Sequence, residues 1–417
     1  MNILYETIAE TAGHGGTKPA LICENEIITY AGLMRMVNDK AKSISAKLRA
    51  CTLPVRTDVG SVVDILACAK RNICVLPLPM DIPHDEQEKL THDTFKDMPD
   101  NPLPFLLLQT SGTTGDPKLI GLTQETKMLR AGQFSTLYMV EQDDVVLVGT
   151  PLHYSMPQRL VFTSLMVGAV ARLLPKYSPE LWLDQAVRCS VVVGVAQQLQ
   201  HFHGKEPIKT RLVLNSSAHR SFCSDYRYCD CYGTSEIAIA TNLHPLNPEA
   251  RNVGMPVPGV EIKIDKAGEI MVRTPLLFSG YFNRQDLTAE AMTEDGFFRT
   301  GDAGYFDSNG YLNLNGRLND VIKVGGIKIY PDRVEEVMTN IEGVVDCAAV
   351  GVPDARLGET VHVVLVMDKD AAKPTIRDIQ HATIGWLGQA AVPRSVSFAE
   401  SLPRTDNGKL LRRNLKS

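Results

Sequence analysis

Short apolar runs rich in β-branched residues alternate with helical patterns over roughly the first 245 residues of the chain. Such runs lie at Ile73–Leu78, Phe105–Leu108, Val145–Val148 and Ser190–Val195. The residues between them repeat their apolar positions at the three- and four-residue spacing of a helix. Runs of this length that alternate with helices are typical of buried strands in a parallel sheet. The pattern therefore predicts an α/β fold with mostly parallel sheets and helices packed against them.

The pattern changes twice in the second half of the chain. Gly and Pro become dense after Gly254, and Glu269–Val272 alternates as antiparallel strands do. After Gly316-Arg317, a helix start at Tyr330-Pro331 is followed by two strands and a second helix. We predict a large domain over residues 1–317, with a small β-rich subdomain at about 250–316, and a small mobile α+β domain over residues 318–417.

Charge and apolar content exclude several classes of protein. The chain has 43 Lys and Arg against 48 Asp and Glu, a formal charge of −5, so it lacks the basic field that steers proteins onto nucleic acid or anionic lipid. Its apolar runs are far shorter than the ~20 residues that cross a bilayer. The N-terminal residues lack a secretory signal pattern, and the nine cysteines form no disulfide ladder. We expect a cytoplasmic protein with no nucleic-acid partner and no membrane span.

A cluster of small polar residues follows the strand at Phe105–Leu108. Backbone N–H groups freed by glycine, hydroxyl groups and a lysine together suit the binding of phosphate. It is not a Walker loop, because Pro117 stands where glycine is required and Leu119 stands where Ser or Thr would bind magnesium. Taken alone, the segment fits either a phosphate-binding loop or a solvated loop. Its residues are Thr110, Ser111, Gly112, Thr113, Thr114, Gly115, Asp116, Pro117 and Lys118.

Four further segments follow in order along the chain. With the loop at 110–118 they resemble the signature motifs of the acyl-adenylate-forming (AMP-dependent synthetase/ligase) family, which includes acyl-CoA synthetases, carrier-protein adenylation domains and luciferases. The resemblance covers most of the chain. The segments are Tyr232-Gly233-Thr234-Ser235-Glu236, Phe298-Arg299-Thr300-Gly301-Asp302, Gly316-Arg317 continuing to Lys323 and Gly325-Gly326, and Pro403-Arg404-Thr405-Asp406-Asn407-Gly408-Lys409.

The resemblance implies a binding site for ATP and Mg²⁺. It assigns the β- and γ-phosphates to residues Thr110–Gly115 and Lys118, the metal to Glu236, and the α-phosphate to Ser235, where the family has Thr. The segment Tyr232-Gly233-Thr234 lies against the nucleotide, with the Tyr232 ring on the adenine face. Asp302 accepts hydrogen bonds from the ribose hydroxyls, and Arg317 contacts the same sugar. A core aromatic residue and a turn-forming Asp are the structural alternatives for Tyr232 and Asp302.

The resemblance also implies the groups that act on the acid. Lys409 bridges the carboxylate and the α-phosphate when the small domain is closed. His153 lies at the mouth of the acyl pocket, with Tyr154, Met156 and Arg159 as candidate neighbours of the substrate. A purely structural histidine is the alternative for His153. Serines replace two family glycines in the segment 214–219, and the spacing between motifs is short, so we expect a compact pocket for a small aromatic or short acid.

A second half-reaction is implied by the hinge segment. Rotation about Asn319, where the family usually has Asp or Lys, would bring Lys323, Gly325 and Gly326 to a tunnel for a pantetheine arm. A plain β-turn between Val324 and Ile327 is the alternative for the two glycines.

The function predicted from the sequence is ATP-dependent activation of a carboxylic acid to an acyl adenylate, with release of pyrophosphate. Transfer to the thiol of CoA or of phosphopantetheine on an acyl carrier protein follows. Two alternatives remain at this stage. One is transfer of the acyl group to an amine or another non-thiol nucleophile, and the other is a catalytically silent nucleotide-binding protein.

Overall fold

The computed structural model describes residues 2–98, 102–109, 118–199, 209–216, 228–243, 252–405 and 410–415. These residues form two compact units. The first contains the described residues of 2–261 together with 272–298, and the second contains 262–271 and 299–415. In the part of the chain that the structure describes, none of the helices has the length and apolar character needed to cross a membrane.

The strands follow the β-branched runs of the sequence. They are β1 (Pro19–Cys23), β2 (Glu26–Thr29), β3 (Ala50–Val55), β4 (Cys74–Pro79), β5 (Leu106–Gln109), β6 (Leu119–Leu122), β7 (Val145–Val148), β8 (Val170–Leu173), β9 (Val191–Gly194), β10 (Leu212–Asn215), β11 (Tyr228–Thr234), β12 (Ala238–Leu243), β13 (Met255–Pro256), β14 (Glu261–Ile264), β15 (Glu269–Arg273), β16 (Phe298–Phe306), β17 (Leu312–Arg317), β18 (Ile322–Val324), β19 (Ile327–Ile329), β20 (Val344–Asp354), β21 (Gly358–Met367) and β22 (Ser395–Phe398).

The helices begin at polar caps in several places, as Thr123 shows by accepting a hydrogen bond from the N–H of Thr126. They are α1 (Ile3–Gly15), α2 (Tyr30–Ser43), α3 (Val59–Lys70), α4 (His84–Phe95), α5 (Gln124–Tyr138), α6 (Ser155–Val167), α7 (Pro179–Ala186), α8 (Ala196–Leu199), α9 (Gln285–Ala291), α10 (Pro331–Met338) and α11 (Ile376–Leu387). Short 3₁₀ helices cover Leu318–Asp320, Gln389–Ala391 and Arg412–Leu415.

Two sheets lie in the first unit. The larger has the order β13-β12-β11-β10-β9-β7-β8-β1-β2. Its strands from β1 through β8, β7, β9 and β10 to β11 pair in parallel, and antiparallel strands complete both edges. The smaller sheet, β3-β4-β5-β6, is parallel except for its last pair. Parallel strands in the interior explain why β7 and β9 read as continuous apolar runs.

The second unit is built mainly from antiparallel strands. A four-stranded sheet has the order β14-β15-β16-β17, and a five-stranded sheet contains β18 to β22. The second sheet packs its apolar side chains against one face of α10, where Val334 and Met338 are fully buried. This burial follows from the helical spacing of the two residues.

The predicted fold class is confirmed, because the chain forms a large α/β part with mixed sheets and helices and a smaller α+β part. The domain boundary at residues 317/318 stays a prediction.

Candidate active site

Several of the predicted site residues lie outside the described part of the chain. These are Thr110, Ser111, Gly112, Thr113, Thr114, Gly115 and Lys409. Their roles stay predictions. The other predicted residues are described: the first unit contains Lys118, His153 and residues 232–236, and the second contains Asp302, Arg317, Asn319, Lys323, Gly325 and Gly326.

The hairpin of β11 and β12 holds the Tyr232–Glu236 segment. Tyr232 and Gly233 lie in β11, and Ser235 and Glu236 form part of the turn before β12. The strands approach so closely that a Cβ atom on Gly233 would lie 1.8 Å from the carbonyl oxygen of Ala238. Only glycine fits there, since any side chain would force the strands apart. The glycine thus permits the tight turn that presents Ser235 and Glu236.

A buried arginine on α5 holds this turn from behind. The Arg130 side chain is 1% exposed, and its NH1 and NH2 atoms donate to the carbonyl oxygens of Ser235 at 2.7 Å and Glu236 at 2.6 Å. Its Nε and NH2 atoms donate to the carbonyl oxygen of Leu276, at 2.9 and 2.7 Å. Burial, followed by repulsion from Arg159, lowers the pKa of Arg130 to about 9. The guanidinium therefore fixes the backbone of the two predicted catalytic residues.

The Glu236 carboxylate is held in place by a tyrosine. The Tyr281 hydroxyl donates to Oε1 of Glu236 at 3.1 Å, and Nζ of Lys118 lies 4.9 Å from the centre of the Tyr281 ring. A cation at this distance is attracted to the face of the ring. Tyr281 thus contacts both the predicted phosphate-binding lysine and the predicted metal-binding carboxylate.

The two predicted ribose-binding residues of the second unit contact each other. Asp302 on β16 and Arg317 on β17 are register partners, and Nε of Arg317 lies 2.8 Å from Oδ1 of Asp302. NH1 of Arg317 also donates to the carbonyl oxygen of Thr300 at 3.1 Å. The pair presents a carboxylate, an acceptor that suits two adjacent hydroxyl donors.

His153 lies in a half-buried position just before α6. Its ring is 4.1 Å from the ring of Tyr154 at a tilted angle. Both residues immediately precede Ser155, the first residue of the helix. The predicted acyl-pocket segment is therefore placed at a helix N-terminus, where the helix dipole favours negative charge.

The predicted hinge and tunnel residues lie around the β18–β19 hairpin. Asn319 is exposed and lies in the 3₁₀ helix between β17 and β18. Gly325 and Gly326 form the two-residue turn of the hairpin, with φ angles of +57° and +85°. Two positive φ values are what a tight hairpin turn requires, so turn geometry alone accounts for both glycines. Their role at a thiol tunnel stays a prediction.

Ion pairs anchor the chain on both sides of the segment that carries Lys409. On one side, NH2 of Arg404 donates to both carboxylate oxygens of Asp346 at 2.8 and 2.9 Å. On the other side, Arg412 pairs with Asp332 and lies 2.9 Å from Oε2 of Glu335. Arg404 and Arg412 are thus both held by carboxylates of the second unit.

Comparison with known proteins gives a single family. Residues 95–282 match the family described as AMP-binding enzyme, and residues 333–409 match the AMP-binding enzyme C-terminal domain. A sulfoacetate-CoA ligase from Cupriavidus necator is 30% identical, in an alignment that covers 78% of this chain and 69% of that protein. The chain belongs to the AMP-binding enzyme family.

Other members of the AMP-binding family agree with this assignment. A malonate-CoA ligase from Arabidopsis thaliana is 29% identical over 75% of this chain, which spans only 60% of that protein. The fatty acid-[acyl-carrier-protein] ligase ScoC from Streptomyces coeruleorubidus is 25% identical over 100% of this chain and 96% of its own length. The crystal structure of ATP-bound MatB from Rhodopseudomonas palustris shares the fold, with a TM-score of 0.89, 22% identity and coverage of 99% and 98% of the two chains. The predicted family and the predicted enzyme class, an AMP-forming acid-thiol ligase, are confirmed.

Two residues that contact the predicted site residues were not predicted from the sequence, Arg130 and Tyr281. Arg130 lies on the same buried stripe of α5 as Ala131 and Phe134, and a cation among apolar positions of a helix was the available signal. Tyr281 carried no such signal, since a single tyrosine after a loop is common.

Among the described residues, no group of three or more His, Cys, Asp or Glu side chains is placed to hold a metal ion. The single carboxylate of Glu236, oriented by Tyr281, fits Mg²⁺, which commonly takes one protein carboxylate and completes its shell with phosphate oxygens and water.

Proposed function

We propose that this protein activates a short carboxylic acid with ATP and transfers the acyl group to a pantetheine thiol. In the first step, a carboxylate oxygen attacks the α-phosphorus, the bond from that phosphorus to the bridging oxygen breaks, and pyrophosphate leaves with the electron pair. In the second step, the thiolate attacks the acyl carbon and AMP leaves. The observation that carries the proposal is the turn at Ser235 and Glu236. One buried guanidinium fixes its backbone by hydrogen bonds to both of their carbonyl oxygens, and it makes two more to the carbonyl oxygen of Leu276.

Fixed groups suit this reaction because negative charge accumulates around the α-phosphate in the transition state. We assign the hydroxyl of Ser235 to an α-phosphate oxygen and the ammonium of Lys118 to the terminal phosphates. Asp302 and Arg317 are assigned to the ribose. Lys409 is assigned to the carboxylate and α-phosphate together, which places its charge where it is needed only during transfer.

Magnesium is assigned to Glu236. The ion would neutralise charge on the β- and γ-phosphates and polarise the leaving group. The Tyr281 hydroxyl occupies one lone pair of Oε1, which leaves the other lone pair of Oε1 and both lone pairs of Oε2 for the metal or its water.

The size of the acid is assigned from two observations. The predicted acyl segment at His153 and Tyr154 is half-buried and continues directly into the closely packed helix α6. Among similar proteins, two are named for the short acids sulfoacetate and malonate. We therefore favour a short acid. As acceptor we propose CoA or an acyl carrier protein, and as location the cytoplasm.

The function is tested by pyrophosphate release across a panel of acids, with CoA, a phosphopantetheinylated carrier protein, an amine or no acceptor. We expect release with ATP and at least one short acid, and a thioester only when a thiol is present. Lys409→Ala should abolish release with little change in ATP affinity, because its charge acts in the transition state. An amide product in place of the thioester would favour the alternative acceptor, and equal loss of ATP binding and turnover in Lys409→Ala would remove the catalytic assignment of that lysine.

A further inference from the structure

Three cations are buried together in the first unit, on α5 and α6. Lys127, Arg130 and Arg159 are 2%, 1% and 4% exposed, and the charges of Arg130 and Arg159 lower the pKa of Lys127 after burial itself. The guanidinium of Arg130 is satisfied by hydrogen bonds to backbone carbonyl oxygens. The other two cations need a separate explanation, since buried charges are normally paired.

Arg159 forms no hydrogen bond or ion pair with any described residue, and its Nε atom is fully buried. Burial lowers the pKa of Arg159, and the titratable groups whose charge would oppose this shift are Cys231 and Tyr138. Both remain neutral near pH 7, because burial raises the pKa of Cys231 to about 12 and that of Tyr138 well above its usual value. Within the described chain, the charge of Arg159 is therefore uncompensated.

A second buried polar group lies one helical turn away. The Oγ atom of Ser155 is buried and has no hydrogen-bond partner among the described residues. Ser155 and Arg159 are four residues apart on α6, and so share one face of the helix. Helical side chains lean towards the N-terminus, so the Arg159 side chain extends towards Ser155. An unpartnered guanidinium and an unpartnered hydroxyl on one helix face are donors suited to the same anion.

Lys127 adds charge beside the same helix. Its Nζ atom donates to Oε1 of Gln158 at 2.8 Å, and the Gln158 amide donates to the carbonyl oxygen of Leu152 at 2.8 Å. These bonds hold the ammonium against the segment that leads to His153. The Nζ atom of Lys127 also lies 5.3 Å from the centre of the Phe162 ring, so one hydrogen bond and one ring face hold it in place.

The position of these groups connects them to the proposed acid. Ser155 directly follows His153 and Tyr154 in sequence, and Arg159 acts on Cys231, the neighbour of Tyr232. Arg159 therefore lies between the helix that follows the predicted acyl segment and β11, the strand that carries the predicted nucleotide-binding tyrosine on its other face.

We propose that Ser155 and Arg159, assisted by Lys127, bind a second anionic group of the acid, at the end opposite the carboxylate that is activated. The substrate is then a short dicarboxylic or sulfonated acid and not a simple monocarboxylic acid. This inference rests on the function proposed above.

The test compares acids that have the same shape and differ in charge. Malonate is paired with 3-methylbutanoate, sulfoacetate with 3,3-dimethylbutanoate and succinate with 4-methylpentanoate. Pyrophosphate release should show kcat/KM at least about 100-fold higher for the dianion in the best pair, because a site built to bind an anion rejects an apolar isostere.

Substitutions then test whether Arg159 and Ser155 cause the preference for the dianion. Arg159→Met should lower kcat/KM for the preferred dianion about 100-fold and leave that for its apolar isostere unchanged or higher. Arg159→Lys should recover part of the loss, and Ser155→Ala should cause a smaller one. Arg172→Met is the matched control, because Arg172 also has a buried Nε without a partner but lies on β8 and donates to Gln185. The KM for ATP should be unchanged in all of these variants.

The outcomes separate the inference from the proposed function. If wild-type protein uses the apolar isosteres as well as or better than the dianions, the inference is wrong and the proposed function stands. An equal loss for both members of a pair in folded Arg159→Met would likewise overturn it. If neither these acids nor acetate, butanoate and benzoate give pyrophosphate, both the proposed function and the inference fail.

Discussion

Arg317 and Asp302 form an ion pair across neighbouring strands, with 2.8 Å between Nε and Oδ1. The pair joins two motifs that are separated in sequence. The sequence suggested that each residue contacts the ribose, and the structure adds that Arg317 orients the carboxylate of Asp302.

We predict that Asp302→Ala raises the KM for ATP about 10- to 100-fold, because two ribose hydroxyls lose their acceptor and Arg317 loses its partner. Arg317→Ala should have a smaller effect in the same direction. The KM for ATP and the melting temperature are the measurements. Arg299→Ala is the control, since it removes an exposed pair with Glu269 from the same strand. An unchanged KM for ATP in Asp302→Ala would contradict the ribose assignment.

The second prediction concerns Arg130. Arg130→Met leaves the carbonyl oxygens of Ser235, Glu236 and Leu276 without their donor, so the free energy of unfolding should fall by about 3 kcal/mol. Below the melting temperature, kcat should fall about 100-fold, because displacement of Ser235 and Glu236 affects the transition state.

Arg130→Lys should rescue little, because an ammonium lacks the planar fork that serves three oxygens. Arg188→Met, which removes an exposed pair with Asp184, is the control. Chemical denaturation and steady-state kinetics measure the two effects. A stable Arg130→Met protein with normal kcat would show that Arg130 does not position the turn.

Much of the fold could be predicted from the sequence because its strands are short β-branched runs. Val145–Val148 is one example, in which the predicted and observed strand bounds agree. The strand β3 was missed, since Pro54 interrupts an otherwise mixed run. The structure places β3 at the edge of its sheet, where proline is tolerated.

The residues of the candidate site likewise divide into those that the sequence predicts and those that only the structure reveals. Motif residues such as Glu236 and Asp302 could be predicted, because each stands in a short segment that resembles a family motif; their roles stay predictions. The role of Arg130 could not be predicted, because it depends on a turn that is distant in sequence: Ser235 is 105 residues away. The uncompensated charge of Arg159 likewise becomes visible only when the burial and partners of the side chain are known.

The third prediction tests the contact between Tyr281 and Glu236. Tyr281→Phe keeps the ring beside Lys118 and removes the hydroxyl that donates to Glu236. We expect the Mg²⁺ concentration for half-maximal pyrophosphate release to rise about 3- to 10-fold, as one hydrogen bond that orients the carboxylate is lost. Tyr305→Phe, at an exposed tyrosine, is the control. An unchanged Mg²⁺ requirement would contradict the metal assignment of this carboxylate.

The fourth prediction concerns Glu335, which is 1% exposed and accepts a hydrogen bond from the N–H of Ala349 at 2.7 Å. Burial raises its pKa from 4.5 to about 8, and the charge of Arg412 opposes this shift. Between these values the folded protein binds a proton that the unfolded chain has lost. Stability should therefore fall as pH rises from about 4.5 to about 8, by at most about 1.4 kcal/mol per pH unit.

Denaturation at several pH values measures this slope. In Glu335→Gln the slope should flatten, since the group no longer titrates. Glu336→Gln, in the half-buried pair with Arg333, should keep the wild-type slope and serves as the control. A wild-type slope that survives in Glu335→Gln would assign the pH dependence to another group.

The last prediction separates the two half-reactions. Asn319 is exposed, lies in the 3₁₀ helix directly after β17, and is two residues from Arg317. If the chain rotates about this residue between the two steps, Asn319→Pro should hinder the rotation, because proline fixes φ near −65°. We expect pyrophosphate exchange to survive in part and thioester formation to fall at least about tenfold. Asn319→Ala, which leaves φ free, should retain both activities. Exchange and thioester formation are measured on the same preparation. Equal loss of both in a folded Asn319→Pro protein would rule out this residue as the pivot, and undiminished transfer would show that the second step proceeds without rotation about it.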